Sequence, residues 1–258
     1  MKMLWINPVG TSLFDPAVAE LLQKSARQGT VVDVVSLPED RPKHLEYHAY
    51  EGLVIGDIVS ITRARSRDYD AIVIGCFYDP GLREAREVSG RAVVVAPCQA
   101  SLVYVSHLAN AFSVIVGRKK WIPKMEENIH MYGYGRHLRS MRPVELGVYD
   151  FQKDREFTAR RLMEEGKRAV EEDLAEALIL GCTIEFGFHE KMQDKLGVPV
   201  VDAILAPFKL AELLAETAHA FGWLPSRAGG GETPPDQEVR EMGLFQGKDP
   251  VHNIIRGR

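Results

Sequence analysis

One segment occurs twice in this chain, and it restricts the fold more than any other feature. The first copy is Asp70-Ala71-Ile72-Val73-Ile74-Gly75-Cys76, the second Glu176-Ala177-Leu178-Ile179-Leu180-Gly181-Cys182. Each runs from an acidic residue through a short apolar stretch to Gly-Cys. Runs this short, β-branched in the first copy, read as buried strands of a parallel sheet. The glycine lets the backbone turn sharply or a ligand come close. It delivers the cysteine to the carboxyl end of the strand, where open α/β sheets bind their ligands.

The likeness continues past the cysteines. Cys76 leads into Phe77-Tyr78-Asp79-Pro80-Gly81-Leu82 and a helical stretch, and Cys182 into Thr183-Ile184-Glu185-Phe186-Gly187 and another, expected over about 185–195. Val93–Val95 and Val198–Val201 then repeat as short strands. One strand-turn-helix-strand unit is used twice. The chain opens in the same style, with a strand at Leu4–Ile6, a helix started by Asp15-Pro16, where Asp can cap, and a strand at Val31–Val35. The expected architecture is α/β: two pseudosymmetric lobes, each a mostly parallel sheet flanked by helices, with the active site in the cleft between them. Residues 1–100 plus 203–222 would form the first lobe and 101–202 the second. Residues 223–258, interrupted by Gly229-Gly230-Gly231 and Pro234-Pro235, read as a flexible extension, an oligomer arm or a loose end.

Composition excludes several classes of function. Charged residues make up 26% of the chain and the net charge is -4, with no basic stripe, so nucleic acid is not an expected partner. No run of about 18 apolar residues occurs, so no membrane span is expected. The first residues enter a strand pattern with no leader-like apolar region, and a cytoplasmic location is expected. Three cysteines, Cys76, Cys98 and Cys182, do not make a disulfide framework. His44 and His48, four apart, are a weak metal pair beside Pro38 and Pro42. His107, in an apolar helix, reads as a core or interface histidine. The glycine-rich fingerprints of common nucleotide sites are absent.

Two thiols at equivalent strand ends suit a particular chemistry. A cysteine at the start of a helix meets amide donors and the positive helix end, which draw its pKa down from about 8.5. One thiolate can remove a proton from a carbon beside a carbonyl while an opposed thiol returns one to the other face. The enolate oxygen would be held by loop amides or by Asn7, Thr11 and Ser12. Phe77 and Tyr78 are candidate pocket walls. Asp79 and Glu185, each three residues past a cysteine, would cap the next helix or orient substrate. Thr183 and Ile184, in the second turn, are further substrate-binding candidates. Cys98 follows a proline and has no counterpart, so it reads as a small buried hydrophobe. No cofactor is required if the substrate carbon is acidic enough.

These residues resemble the aspartate/glutamate/hydantoin racemase superfamily, and most closely its hydantoin racemase branch. The matching pieces are Asn7-Pro8 with Thr11 and Ser12, Gly75-Cys76-Phe77-Tyr78-Asp79-Pro80-Gly81-Leu82, and Leu180-Gly181-Cys182-Thr183. The resemblance implies a cofactor-independent racemase of 5-substituted hydantoins or related cyclic amides. Cys76 and Cys182 would be the opposed acid–base pair, and Asn7 and the backbone after each cysteine would hold substrate oxygens. The implied partner is a small molecule with an acidic C–H beside a carbonyl, with a homo-oligomer as a further expectation. Thr183-Ile184-Glu185 is bulkier and more acidic than the small residues usual in that branch. Two alternatives stay open: a cysteine-dependent isomerase, lyase or decarboxylase on the same scaffold, and a non-catalytic small-molecule-binding or thiol-redox protein.

Overall fold

The computed structural model describes residues 1–245 and 250–257. The chain alternates strand and helix: β1 (Lys2–Asn7), α1 (Asp15–Ser25), β2 (Val31–Ser36), α2 (His48–Arg65), β3 (Ala71–Ile74), α3 (Leu82–Val88), β4 (Val93–Val95) and α4 (Pro97–Leu108). The same order then recurs: β5 (Phe112–Val116), α5 (Ile122–Met131), β6 (Leu138–Pro143), α6 (Arg155–Glu171), β7 (Ala177–Leu180), α7 (His189–Leu196), β8 (Val200–Val201) and α8 (Leu205–Phe221). A short helix, α9 (Asp236–Glu241), and a last strand, β9 (Asn253–Ile255), follow.

The first sheet has the order β4-β3-β1-β2-β9 and the second β6-β5-β7-β8. Setting β9 aside, the two orders correspond strand for strand, β1 to β5, β2 to β6, β3 to β7 and β4 to β8. All pairings within these eight strands are parallel. The protein therefore consists of two pseudosymmetric α/β lobes. Their central strands are buried over continuous runs, as a parallel sheet covered by helices requires: Met3 to Ile6, Ala71 to Ile74, Phe112 to Val116 and Ala177 to Leu180.

The chain divides into two compact units. One comprises Met1–Gly75, Pro80–Val95 and Phe208–Arg258, the other Cys76–Asp79 and Ala96–Pro207. The fourth helix of each repeat thus falls in the unit built by the other repeat. Among the described residues no helix is long and apolar enough to cross a membrane.

Several local expectations are corrected. The tail is not a loose end. β9 lies antiparallel on β2, pairing Ser36 with Asn253 and Val34 with Ile255, and covers an edge that would otherwise be open. Arg227 ties the preceding segment down through hydrogen bonds to the carbonyl of Arg86 at 2.5 Å and the Ser89 hydroxyl at 3.1 Å. His107 is exposed on α4, with its Nδ1 at 2.8 Å from the Val103 carbonyl, and is not a core residue. The helix expected from Glu185 begins only at His189, because Thr183–Glu185 forms a 3-10 turn and Gly187 follows with φ 80°.

Candidate active site

Asn7, Thr11 and Ser12 belong to the first unit. Asn7 ends β1, and the Gly75 amide donates to the Ile6 carbonyl at 2.8 Å, so Asn7 and Gly75 share one strand-end edge. The Asn7 side chain is buried and held from both ends. Trp5 Nε1 donates to its Oδ1 at 2.7 Å, and its Nδ2 donates to Asp15. Asp15 also accepts from the Ser36 hydroxyl and from Asn253 Nδ2 at 3.2 Å. Asp15 is therefore not the cap of α1; it is the anchor of Asn7, and α1 has no side-chain cap. Asn7 keeps one N–H and one lone pair for other partners. Thr11 and Ser12 are partly exposed in the loop after β1, where Thr11 Oγ1 accepts the Leu13 amide at 3.3 Å and the Ser12 carbonyl the Asp15 amide at 3.1 Å. The sequence reading missed Trp5, Ser36 and Asn253. A tryptophan two residues before Asn7 on the same strand face was the available signal.

The remaining candidates belong to the second unit. Cys76 and Cys182, both partly exposed, pack against the same apolar core, which includes Phe77, Tyr78, Cys98, Val114, Val116 and Ile179. Neither takes part in a disulfide. Each is delivered by a glycine that the packing demands. A Cβ on Gly75 would lie 2.5 Å from Trp5 Nε1, and one on Gly181 2.8 Å from the Ile115 carbonyl oxygen. Each cysteine opens a matching turn: the Asp79 amide donates to the Cys76 carbonyl and the Glu185 amide to the Cys182 carbonyl, both at 3.0 Å. Neither cysteine begins an α-helix, since α3 starts at Leu82 and α7 at His189. The expected helix-end effect on their thiols therefore has no α-helix behind it.

Phe77 and Tyr78 are buried in the apolar core, and Asn128 Nδ2 donates to the Tyr78 carbonyl at 2.7 Å. Thr183 is buried and Ile184 half-buried, and Gln152 Nε2 holds the Ile184 carbonyl at 2.6 Å. What the two turns offer a ligand is mainly backbone and sulfur.

The acidic residues that close the turns have unlike surroundings. Asp79, in the left-handed region at φ 50°, does not cap the helix that follows it. Its carboxylate accepts the Cys98 amide at 2.8 Å, the Gln99 amide at 2.9 Å and the Tyr132 hydroxyl at 3.0 Å, and so caps α4. The residue at the N-cap of α4 itself is Ala96, which has no side chain to offer. At the equivalent position before α8 stands Asp202, whose Oδ1 accepts the amides of Ile204 at 2.7 Å and Leu205 at 3.0 Å. That helix start is already satisfied, and Glu185 caps nothing. Its carboxyl is wholly buried, and neither oxygen has a hydrogen-bond partner. Burial, reinforced by the Asp202 charge, pushes this carboxyl well above the usual range, while the amides of Cys182 and Gly181 pull weakly the other way. Cys98 is fully buried, and burial together with Asp79 pushes its thiol up. That is the behaviour of an inert structural cysteine. Among the described residues, no group of three or more His, Cys, Asp or Glu is arranged to hold a metal ion.

The chain is similar to known proteins along most of its length. Residues 3–211 match the family model described as Asp/Glu/Hydantoin racemase. The chain is 36% identical to a hydantoin racemase of Pseudomonas sp. (strain NS671) over 217 residues, 84% of this chain and 86% of that one. It is 35% identical to a hydantoin racemase of Rhizobium meliloti, over 85% and 91% of the two chains. An allantoin racemase from Klebsiella pneumoniae has the same fold, with a TM-score of 0.83 at 24% identity, covering 92% of this chain and 94% of that one.

Proposed function

Because the chain belongs to the Asp/Glu/hydantoin racemase family, we propose that it interconverts the enantiomers of 5-substituted hydantoins or closely related cyclic amides. Cys76 and Cys182 serve as the acid–base pair. One sulfur, as thiolate, removes the C5 proton, and the electron pair moves onto the adjacent carbonyl to give an enolate. The other sulfur, as thiol, returns a proton to the opposite face. The two cysteines exchange roles for the other enantiomer. Backbone amides of the two cysteine turns are donors suited to the developing oxyanion. The ring favours this chemistry because its C5 carbanion is delocalised into a carbonyl, so the residues need supply only proton transfer and charge stabilisation.

The observation that carries this reading is the pairing of two Gly-Cys strand ends, each in the same turn, each partly exposed on one apolar core. To test it, single enantiomers of a panel of 5-substituted hydantoins are incubated with the protein in deuterated water. Optical rotation should decay to zero while deuterium enters C5. Neither decay nor exchange across the panel sinks the proposal. The unequal carboxyls behind the two turns favour a second reading, in which only one cysteine moves a proton, as in a lyase or one-sided isomerase. Cys76→Ser and Cys182→Ser should each abolish interconversion in a racemase, whereas the second reading requires one of them to keep full turnover.

A further inference from the structure

Two groups share the enclosure around Glu185. Asp202 stands one residue beyond the Ile179–Val201 pair of β7 and β8, and so beside Leu180, two residues before Cys182. One of its carboxylate oxygens caps α8; the other, Oδ2, is buried without a hydrogen bond and faces His189 Nδ1 at 3.6 Å. His189 Nδ1 is likewise buried and without a hydrogen-bond partner. Asp202 thus links the two others: it faces His189 of α7 at 3.6 Å and acts on the buried Glu185 of the Cys182 turn, and four polar atoms of the three side chains are buried without a hydrogen bond.

Charge decides how they coexist. The Glu185 carboxyl is wholly buried and meets no hydrogen bond of good geometry, and this burial outweighs the pull of the Cys182 and Gly181 amides and favours its protonated form. Asp202 Oδ1 accepts two helix amides, and its carboxylate draws the His189 imidazole toward its protonated form. Among the described residues, Glu190 beside His189 on α7 also draws the imidazole toward its cation, and the Arg155 guanidinium of α6 stacks 4.5 Å over the ring of Phe188, the residue before His189. With Glu185 protonated and a His189 imidazolium facing the Asp202 carboxylate, these three side chains together carry no net charge. Behind Cys76 lies the Asp79 carboxylate on its helix amides.

We propose that Glu185, Asp202 and His189 are positioning residues that control the charge behind Cys182, and through it the ease with which that thiol ionises. Losing the Glu185 proton, or the His189 cation, leaves a net negative charge beside the sulfur and disfavours the thiolate. This deepens the racemase reading, since it rests on Cys182 as a proton-transfer group, and it gives the two catalytic faces different pH limits.

The test does not need turnover. The full-length protein is treated with iodoacetamide across a pH series, and alkylation of Cys76 and Cys182 is followed separately by peptide mass spectrometry. His189→Gln removes the cation, and Cys182 alkylation at neutral pH should slow by about threefold or more, the effect of a half-unit rise in thiol pKa. Glu185→Gln cannot ionise, and Cys182 should alkylate faster than wild type on the alkaline side while matching it on the acid side. Cys76 should change less than twofold in both variants. Shifts of opposite sign at Cys182 alone support the proposal, because loosened structure would expose both cysteines together. Cys182 curves that superimpose on wild type in either folded variant overturn it, as do equal changes at Cys76. If the protein proves not to racemise hydantoins, the alkylation result still stands on its own.

Discussion

Gly75→Ala is the sharpest test of how the strand end is built. The added methyl would lie 2.5 Å from Trp5 Nε1, 2.7 Å from Cε2 and 2.8 Å from Cζ2, all well inside contact distance. Trp5 is fully buried between neighbouring strands, so the ring cannot swing into solvent. Overpacking of this kind costs about 1–3 kcal/mol. The displaced indole would also lose its 2.7 Å hydrogen bond to Asn7, leaving buried partners unsatisfied at about 1–2 kcal/mol more. The sum, about 2–5 kcal/mol, corresponds to a fall in melting temperature of about 4–20 °C for a chain of this size. Gly52→Ala is the control. Gly52 is exposed inside α2, and a Cβ there meets nothing within 4 Å, so the variant should gain about 0.5–1 kcal/mol. Thermal and urea unfolding followed by far-ultraviolet circular dichroism would measure both. If Gly75→Ala melts with wild type, or Gly52→Ala falls as far, the packing argument is wrong. If Asn7 also orients substrate, Gly75→Ala should raise KM in the racemisation assay more than it lowers kcat.

Asp79→Asn keeps a side chain that tolerates positive φ but removes the charge capping α4, and should destabilise the protein by about 1–3 kcal/mol in urea unfolding; an unchanged midpoint would show that the Cys98 and Gln99 amides do not depend on it. In the native protein at mildly alkaline pH, iodoacetamide should modify Cys76 and Cys182 and leave Cys98 unmodified until denaturant is added, read by peptide mass spectrometry; labelling of Cys98 at a comparable rate would contradict its burial.

The fold was legible where information is local. A run such as Ala71-Ile72-Val73-Ile74 announces a doubly buried strand because every side chain in it must meet apolar neighbours. Gly-Cys announces its end because only glycine fits against Trp5 or the Ile115 carbonyl. The repeat was visible for the same reason. What sequence did not disclose depends on partners far along the chain. Asp79 reads as a cap for the helix after it, yet its donors are the amides of Cys98 and Gln99, at a helix whose own N-cap is alanine. Asp15 beside Pro16 has the local pattern of a helix cap, but Asn7, Ser36 and Asn253 claim its carboxylate first. β9 is three residues long and follows a Gly/Pro-rich stretch, and only the open edge of β2 makes it a strand. The isolation of Glu185 is the least readable of all, because it follows from Asp202 having already satisfied the amides that Glu185 would otherwise have capped.

That isolation makes a stability prediction with a definite sign. Unfolded, Glu185 titrates near pH 4.3 like any glutamate. Folded, its value is raised, first by burial and then by Asp202. A raised folded-state value means that the favourable contribution is complete below the unfolded value and drains away as pH climbs toward the folded one, at about 1.4 kcal/mol per pH unit. Across that window the native state must hold a proton that the unfolded chain would release. Glu185→Gln removes the obligation while keeping the shape, an acceptor oxygen and a neutral donor group in place of the acid's hydroxyl. The variant should therefore match wild type near pH 4 and become progressively more stable from about pH 5 upward. The gain should level off once the native Glu185 itself ionises. Glu185→Met, which also removes the polar atoms, should follow the same trend with a constant offset. Urea midpoints measured at half-unit pH steps would trace the difference curve. A variant uniformly less stable, with no pH dependence in the difference, would mean that Glu185 is ionised in the native state and held by donors, and the charge scheme around Cys182 would fail with it.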